Sequence, residues 1–396
     1  MKKFLAAALS VLLVALLLSG CGAKTNENEI RIGINYELSG AVATYGQSSV
    51  DGIMMAIDEI NAAGGINGKT IVPVKYDNKS EPAEATTLAN KLMTQDKVLA
   101  ILGPATSGSF KAEIPVAEKN KVPVVTGSAT ADDVTVDLED GQVVYNDDGS
   151  VKGLKEYAFR ICFSDSYQGS AMAAFASENL SAAKAVIIKD TSSDYGKGLA
   201  ANFLATFTEK GGEVVAEEAY VSGNTDFNGI LTKIKGMDFD VIYIPGYYQE
   251  AGLIIKQARA QGITAPILGA DGFDSPTLAD LAGADALNDV YYTNHYSSLD
   301  KDPLVTQFIA DYNAKYGKEP DAFNALGYDL AKFVCDGISR CETLDSESLK
   351  EALASTENFV GVTGSFSVDE KHNPVKSIVV IGLKDGVQDS SVKVSA

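Results

Sequence analysis

Tryptophan is absent from this 396-residue sequence, histidine occurs twice and cysteine four times. The missing tryptophan decides nothing by itself; the scarcity of histidine and cysteine excludes a good deal. Neither His295 nor His372 has a cysteine or carboxylate at metal-ligand spacing, so no metal site is expected. Each histidine reads as a surface or packing residue. A histidine-dependent hydrolase is thereby disfavoured, and no G-x-S-x-G elbow occurs. No G-x-G-x-x-G follows the first strand candidate, so dinucleotide binding has no support. Gly64-Gly65-Ile66-Asn67-Gly68-Lys69-Thr70 looks like a phosphate loop but has Ala63 where its first glycine belongs. It also follows a helix and precedes a strand, the reverse of the required order, and reads as a turn. With no nucleophile–base pair there is no candidate catalytic residue, no cofactor is expected, and an enzyme is disfavoured. Positive charge is scarce as well: 33 basic residues face 53 acidic ones, a net charge of −20. That balance argues against nucleic acid and against polybasic membrane contact.

What the chain does have begins at its start. Lys2 and Lys3 precede an apolar run, Phe4 to Leu18, interrupted only by Ser10. The run is too short for a comfortable membrane span, which needs roughly 20 residues. Leu18-Ser19-Gly20-Cys21 then closes it. A basic start, an apolar segment and small residues before a cysteine resemble a bacterial lipoprotein signal. The plainer alternative is an anchor helix with Cys21 incidental. The lipoprotein pattern implies removal of residues 1–20, diacylation of Cys21, and a tether over 21–29. Two acyl chains hold a protein stably on a membrane. The expected location is extracytoplasmic, lipid-anchored to the cell membrane. The remaining 376 residues would carry 31 basic and 53 acidic groups, a charge of −22. That length suits two domains.

Cys162, within Phe159-Arg160-Ile161-Cys162-Phe163, reads as a buried, inert thiol. Cys335 and Cys341, six apart, either close a disulfide, as an exported protein allows, or stand as free thiols around a helix end.

Beyond the tether, apolar strand candidates alternate with helical patterns. Strands are expected over 30–35, 71–76, 98–102 and 122–125, and helices over 50–62, 81–95 and 109–119. Residues 132–153, acidic and turn-rich, read as an exposed hairpin excursion. The rhythm restarts with strands over 185–189, 213–219, 241–244, 267–270 and 290–293. Helices over 197–210, 227–235 and 250–261 lie among them. Helices over 303–316 and 324–339 and a strand over 378–383 follow. Two βαβα blocks predict an α/β fold of two doubly wound parallel-sheet lobes.

Ligands of such sheets bind beyond the carboxyl ends of the strands. The loops there hold small and hydroxyl residues in the first block, and tyrosines and one carboxylate in the second. Ser107, Ser128 and Thr130 suit a carboxylate, Asp271 an ammonium, and Tyr45, Tyr195 and Tyr247 an apolar side chain. Read singly, these serines and threonines cap helices and these tyrosines pack loops; their joint placement is what points to a zwitterion.

In this order the chain carries Ile32-Gly33, Leu38-Ser39-Gly40, Tyr45-Gly46, Asn61 to Gly68, Gly103-Pro104, Gln168-Gly169, Asp194 to Gly198 and Gly246-Tyr247. The set resembles the type I periplasmic-binding-protein fold, in the leucine/isoleucine/valine-binding branch of ABC-transporter solute receptors, over roughly 30–385. The resemblance implies that Ala105, Thr106 and Ser107, with Ser128, Ala129 and Thr130, hold an amino acid's carboxylate and share its ammonium. It implies that Asp271 completes the ammonium site, where the branch commonly has glutamate. Tyr45, Tyr195 and Tyr247 would shape the side-chain pocket. It further implies a hinge of three crossovers, placed near Phe163, Thr293 and Val362. Lobe one is then 30–163 with 294–362, and lobe two 164–293 with 363–396. The expected function is hinge closure on a branched-chain amino acid and delivery to ABC permease subunits, by a monomer. A ligand-sensing receptor subunit, or uptake of another amino acid, small amide or carboxylate, uses the same scaffold.

Overall fold

The computed structural model describes residues 26–394. The expected signal and Cys21 lie outside the described residues. The first sheet holds β1 (Glu29–Tyr36), β2 (Thr70–Asp77), β3 (Ala100–Leu102), β4 (Val124–Thr126) and β7 (Ala158–Arg160). Its order is β2-β1-β3-β4-β7 and every pair is parallel. The second holds β8 (Lys184–Asp190), β9 (Glu213–Tyr220), β10 (Val241–Tyr243), β11 (Ile267–Gly269), β12 (Val290–Asn294), β13 (Ile378–Lys384) and β14 (Val387–Val394). Its order is β14-β13-β12-β11-β10-β8-β9, parallel except where β13 meets β12 and β14. The central strands β3, β4, β10 and β11 are buried along their whole length. Strands covered on both faces read as continuous apolar runs rather than alternating ones.

The helices are α1 (Ala43–Ala62), α2 (Pro82–Thr94), α3 (Ser107–Asn120), α4 (Asp165–Glu178), α5 (Asp194–Glu209), α6 (Asn228–Ile234), α7 (Tyr248–Ala260), α8 (Pro276–Ala282), α9 (Pro303–Tyr316), α10 (Ala322–Arg340) and α11 (Ser346–Ala354). Late in sequence, α9, α10 and α11 nonetheless join the first sheet. Met55 of α1 shares a core cluster with Phe308 and Tyr312 of α9 and Ala325 of α10. Helices α1 and α10 approach backbone to backbone. A Cβ on Gly52 would lie 2.0 Å from the Asn324 carbonyl oxygen, and one on Gly327 would lie 2.0 Å from that of Ser49.

Several expectations need correction. Helix α1 begins seven residues before the expected Val50, which puts Tyr45 inside its first turn. Helix α4 was not anticipated: Asp165, Gln168 and Gly169 are buried along with the run Ala171 to Ala176, so it has no polar stripe to give a period. The excursion does form a hairpin, β5 (Leu138–Glu139) with β6 (Gln142–Val143), but its base is core: Val134 and Val136 are buried. The third passage between sheets is later than Val362. Phe366 packs on Phe333 of α10, and His372 stacks on Phe159 of β7 at 4.0 Å, before the chain joins the second sheet at Ile378.

Neither histidine is at the surface. His372 donates through Nδ1–H to the Ala158 carbonyl at 3.1 Å, and His295 stacks on Phe163 at 3.5 Å. Cys335 and Cys341 are free thiols, as is buried Cys162. Six residues along a helix carry the two side chains about 9 Å up the axis and onto different faces, beyond disulfide reach. Cys335 faces the core, and Cys341 donates to the Gly337 carbonyl at 3.3 Å. The glycine-rich segment after α1 is the expected turn, closed by a bridge between Ile66 and Lys69.

Candidate functional site

The carboxyl ends of the two sheets face each other across a narrow, nearly filled cavity of about 10 Å³. Tyr45, Ala105, Thr106, Ser107, Ser128, Tyr195, Tyr247 and Asp271 line it, together with Gly272 and Phe323. Eight of the ten expected ligand-binding residues are thus brought together. Ala129 and Thr130 stand behind the lining. The turn after β4 is set by Thr126 Oγ1, which accepts the N–H groups of Ser128 (3.2 Å) and Ala129 (3.0 Å) and sends Ala129 into the core. Thr130 gives its carbonyl to Arg160 Nη1 (2.9 Å) and to the N–H of Asp165 (2.8 Å), while its buried hydroxyl has no partner. Two larger clefts open elsewhere, one beside Asp274 and Asp321 and one beneath the excursion. The narrow cavity sits where the strand ends of both sheets converge, the place where such folds bind ligands.

The second sheet supplies the anionic wall. Asp271 opens a short 3-10 turn after β11 and is 3 % exposed. Its Oδ1 accepts the Tyr195 hydroxyl at 2.7 Å, and that hydroxyl in turn accepts the N–H of Gly272 at 2.9 Å. Its Oδ2 faces His295 Nε2 at 3.4 Å. Burial holds His295 down at about 4, against the opposing pull of Asp271, so it stands neutral at pH 7. Gln168 Oε1 accepts both the N–H of Asp271 (3.1 Å) and the Thr293 hydroxyl (2.7 Å), tying the turn to α4 and β12. Burial first, then the Asp271 charge, keeps the Tyr195 hydroxyl protonated well above the usual tyrosine range.

Aromatic rings make the apolar wall. Tyr195 stacks on Tyr247 at 5.0 Å, Tyr247 meets Tyr45 edge-on at 5.7 Å, and Tyr45 stacks on Phe323 at 4.3 Å. Tyr45, carried by α1, also donates its hydroxyl to the Gly272 carbonyl across the cleft. Thr44 and Ser275 hydroxyls meet at 3.0 Å beside it, and Lys111 reaches Asp194 at 2.8 Å further along.

The first sheet supplies hydroxyls whose hydrogen-bond roles are already divided. Ser128 Oγ donates to the Ala105 carbonyl at 2.9 Å, so only its lone pairs remain. Thr106 Oγ1 donates to Glu37 at 2.8 Å and is likewise left an acceptor. Ser107 Oγ does the opposite: it accepts the N–H of Ala131 at 3.1 Å and keeps its O–H free. Ser107 is also the first residue of α3, where N–H groups lack intrahelical partners and anions are favoured. The first-sheet end of the cavity therefore offers donors at Ser107 and the start of α3 beside acceptors at Thr106 and Ser128, while the Asp271 end accepts, with aromatic rings between.

The sequence reading missed Phe323, Gly272, Gln168 and the packing of His295 on Asp271. Phe323 follows Asp321, whose side chain caps α10 by accepting the N–H of Asn324 at 2.9 Å. A capping aspartate before an apolar pattern was the available signal for where this ring would sit.

Comparison with known proteins gives a consistent result. The family model described as periplasmic binding protein matches residues 29–388. A Rhizobium johnstonii protein named Leu/Ile/Val-binding protein BraC3 is 31% identical over 343 residues, 86% of this chain and 88% of that one. The leucine-, isoleucine-, valine-, threonine-, and alanine-binding protein of Pseudomonas aeruginosa is 29% identical over 342 residues, 86% of each chain. Among solved structures, the branched-chain amino acid transporter substrate binding protein LivJ of Streptococcus pneumoniae, in complex with isoleucine, is 41% identical. It superposes with a TM-score of 0.85 over 93% of this chain and 100% of that one. The leucine binding protein LivK of Thermotoga maritima is 35% identical, with a TM-score of 0.84 over 92% and 99%.

Proposed function

Since this chain belongs to the periplasmic binding protein family, on its branched-chain amino acid branch, we propose that it is the solute receptor of an ABC importer for leucine, isoleucine or valine. It is a binding protein, not an enzyme. One observation carries the reading: a cavity whose donor end, at Ser107 and the start of α3, and acceptor end, at Asp271, flank an aromatic wall. That is the complement of a zwitterion with an aliphatic side chain. Relatives named for Leu/Ile/Val binding support the same side-chain class.

In this reading the ligand meets Ala105, Thr106, Ser107 and Ser128 on the lobe of 30–163 and 294–376, with Ala129 and Thr130 behind them. The lobe of 164–293 and 377–394 then closes Tyr195, Tyr247 and Asp271 over it, while Tyr45 bridges the two. Closure follows only because the closed form makes contacts that the open form lacks. The closed complex would dock on permease subunits, and diacylated Cys21 would hold the receptor at the membrane.

The test is calorimetric titration of the chain from residue 24, refolded to strip bound ligand, with the proteinogenic amino acids. Micromolar or tighter binding of leucine, isoleucine or valine is expected, abolished by Asp271→Ala. Binding of another amino acid alone would refute the side-chain class; unchanged affinity in Asp271→Ala would refute the ammonium site.

A further inference from the structure

Glu37 follows β1 directly and is fully buried, yet it lines no cavity and belongs to no expected motif. Its Oε2 accepts the N–H of Ala105 at 2.9 Å. Its Oε1 accepts both the N–H of Thr106 at 3.1 Å and the Thr106 hydroxyl at 2.8 Å. All three partners are donors, so they favour the carboxylate, while burial pushes its pKa up. A buried carboxylate held by neutral donors is a costly feature to retain unless geometry depends on it. Its backbone is fixed too, because α1 presses against it: a Cβ on Gly46 would come within 2.1 Å of the Glu37 carbonyl oxygen.

The segment it grips is the donor end of the cleft. Ala105 and Thr106 immediately precede α3, and Thr106 is its N-cap residue. With their N–H groups turned inward to Glu37, the next donors in the chain, the N–H and hydroxyl of Ser107, are the ones left for the cleft. Thr106 Oγ1 is fixed as an acceptor by the same contact.

We propose that Glu37 is the positioning residue of the ligand's carboxylate subsite, orienting residues 105–107 so that Ser107 donates into the cleft. The proposal rests on the zwitterion reading above and deepens it. Glu37→Gln is the informative variant. One amide oxygen accepts as before, but the amide NH2 replaces an acceptor and confronts an N–H, so the loop must turn.

Two measurements test it. Amide hydrogen exchange of the ligand-free protein should show faster exchange at 105–107 in Glu37→Gln, by about tenfold or more, with the other strands of the first sheet unchanged. Unchanged exchange there would overturn the positioning role whatever the protein binds. Calorimetry with L-isoleucine and L-isoleucinamide then reads the carboxylate end alone. Glu37→Gln should weaken isoleucine by about 10- to 100-fold, the range for hydrogen bonds to charged groups, and the amide by much less. Equal weakening of both would reduce Glu37 to a structural residue. Should wild type bind neither compound, the zwitterion reading fails while the exchange result still decides the loop. Glu37→Asp keeps the charge one methylene short and should fall between; if Glu37→Gln does not fold, the same two measurements apply to it.

Discussion

Replacing Tyr45 by phenylalanine isolates the contact that ties the two halves of the cleft together. The ring keeps its stack on Phe323 at 4.3 Å and its edge contacts with Tyr247 and Tyr248. Only the hydroxyl goes. In the structure, which is the closed form in the proposed reading, that hydroxyl donates to the Gly272 carbonyl and accepts the N–H of Tyr248 at 3.3 Å. Both groups lie in the second lobe, so in an open form water serves them. Closure of Tyr45→Phe therefore desolvates a carbonyl without replacing its donor, a cost of about 1–3 kcal/mol. The Tyr248 contact is long, and its N–H opens α7, where an unpaired donor is ordinary, so it adds little. Ligand affinity should fall by about 5- to 150-fold, since 1.4 kcal/mol is tenfold. The loss should appear as faster ligand release in stopped flow, because the broken contact forms after encounter. Melting of the ligand-free protein should not change. Affinity within twofold of wild type would refute the reasoning. So would a loss of ligand-free stability as large as the loss in affinity, which would make Tyr45 a core residue rather than a closure contact.

Gly327→Ala should force α1 and α10 apart, because its Cβ would meet the Ser49 carbonyl oxygen at 2.0 Å. About 1–3 kcal/mol of overpacking predicts a melting temperature lower by roughly 2–10 °C, and no change would refute the close crossing. Burial and the neighbouring Asp274 raise Asp321 to about 7, so the native state holds a proton that the unfolded chain releases near pH 4. That contribution is complete below about pH 4 and is lost as pH rises through 7. Urea unfolding should show stability falling from pH 5 to 8 less steeply in Asp321→Asn than in wild type; parallel profiles would overturn the assignment. Alkylation of the denatured chain from residue 24 without reductant should add to three thiols, Cys162, Cys335 and Cys341, and a single adduct would restore the disulfide.

Much of the sheet framework was legible because its strands are buried on both faces. Val241 to Tyr243 and Ile267 to Gly269 announce themselves as apolar runs between turns, and the loops after them hold Tyr247 and Asp271. The elements that stayed hidden are buried without being apolar. Helix α4 is built from alanine, serine and glycine, with Asp165 and Gln168 turned inward, and presents no alternation of wet and dry faces. The first turns of α1 bury Gly46, Ser48 and Ser49 against other backbone, where small polar residues serve as spacers. Phe323 escaped for a topological reason. The search followed strand ends, whereas this ring arrives at the start of a helix whose neighbours lie far away in sequence. Glu37 is the extreme case, since its partners are backbone N–H groups 68 and 69 residues away and no side-chain pattern marks them.

The division of donors and acceptors between the sheets bears on why such a cleft would close at all. The Ser107 hydroxyl and the first turn of α3 come from the first sheet; Asp271, clamped by Tyr195 and His295, comes from the second. In the proposed reading the first half alone would meet the carboxylate and only part of the ammonium, and the second half the ammonium alone. The differential contact favouring closure would then be the Asp271 carboxylate, gained when the halves meet. Moving a two-state equilibrium from 1:99 to 99:1 needs about 5.5 kcal/mol of differential affinity. Two or three charge-assisted hydrogen bonds at ~1.5–3 kcal/mol each reach that figure. Among the direct contacts between halves, Thr44 with Ser275 and Lys111 with half-exposed Asp194 are individually weak by comparison. If the proposed closure holds, a receptor built this way would stay open when empty and close on a ligand that carries both charges, so discrimination against amines and carboxylic acids would lie in the closing step as much as in the pocket walls.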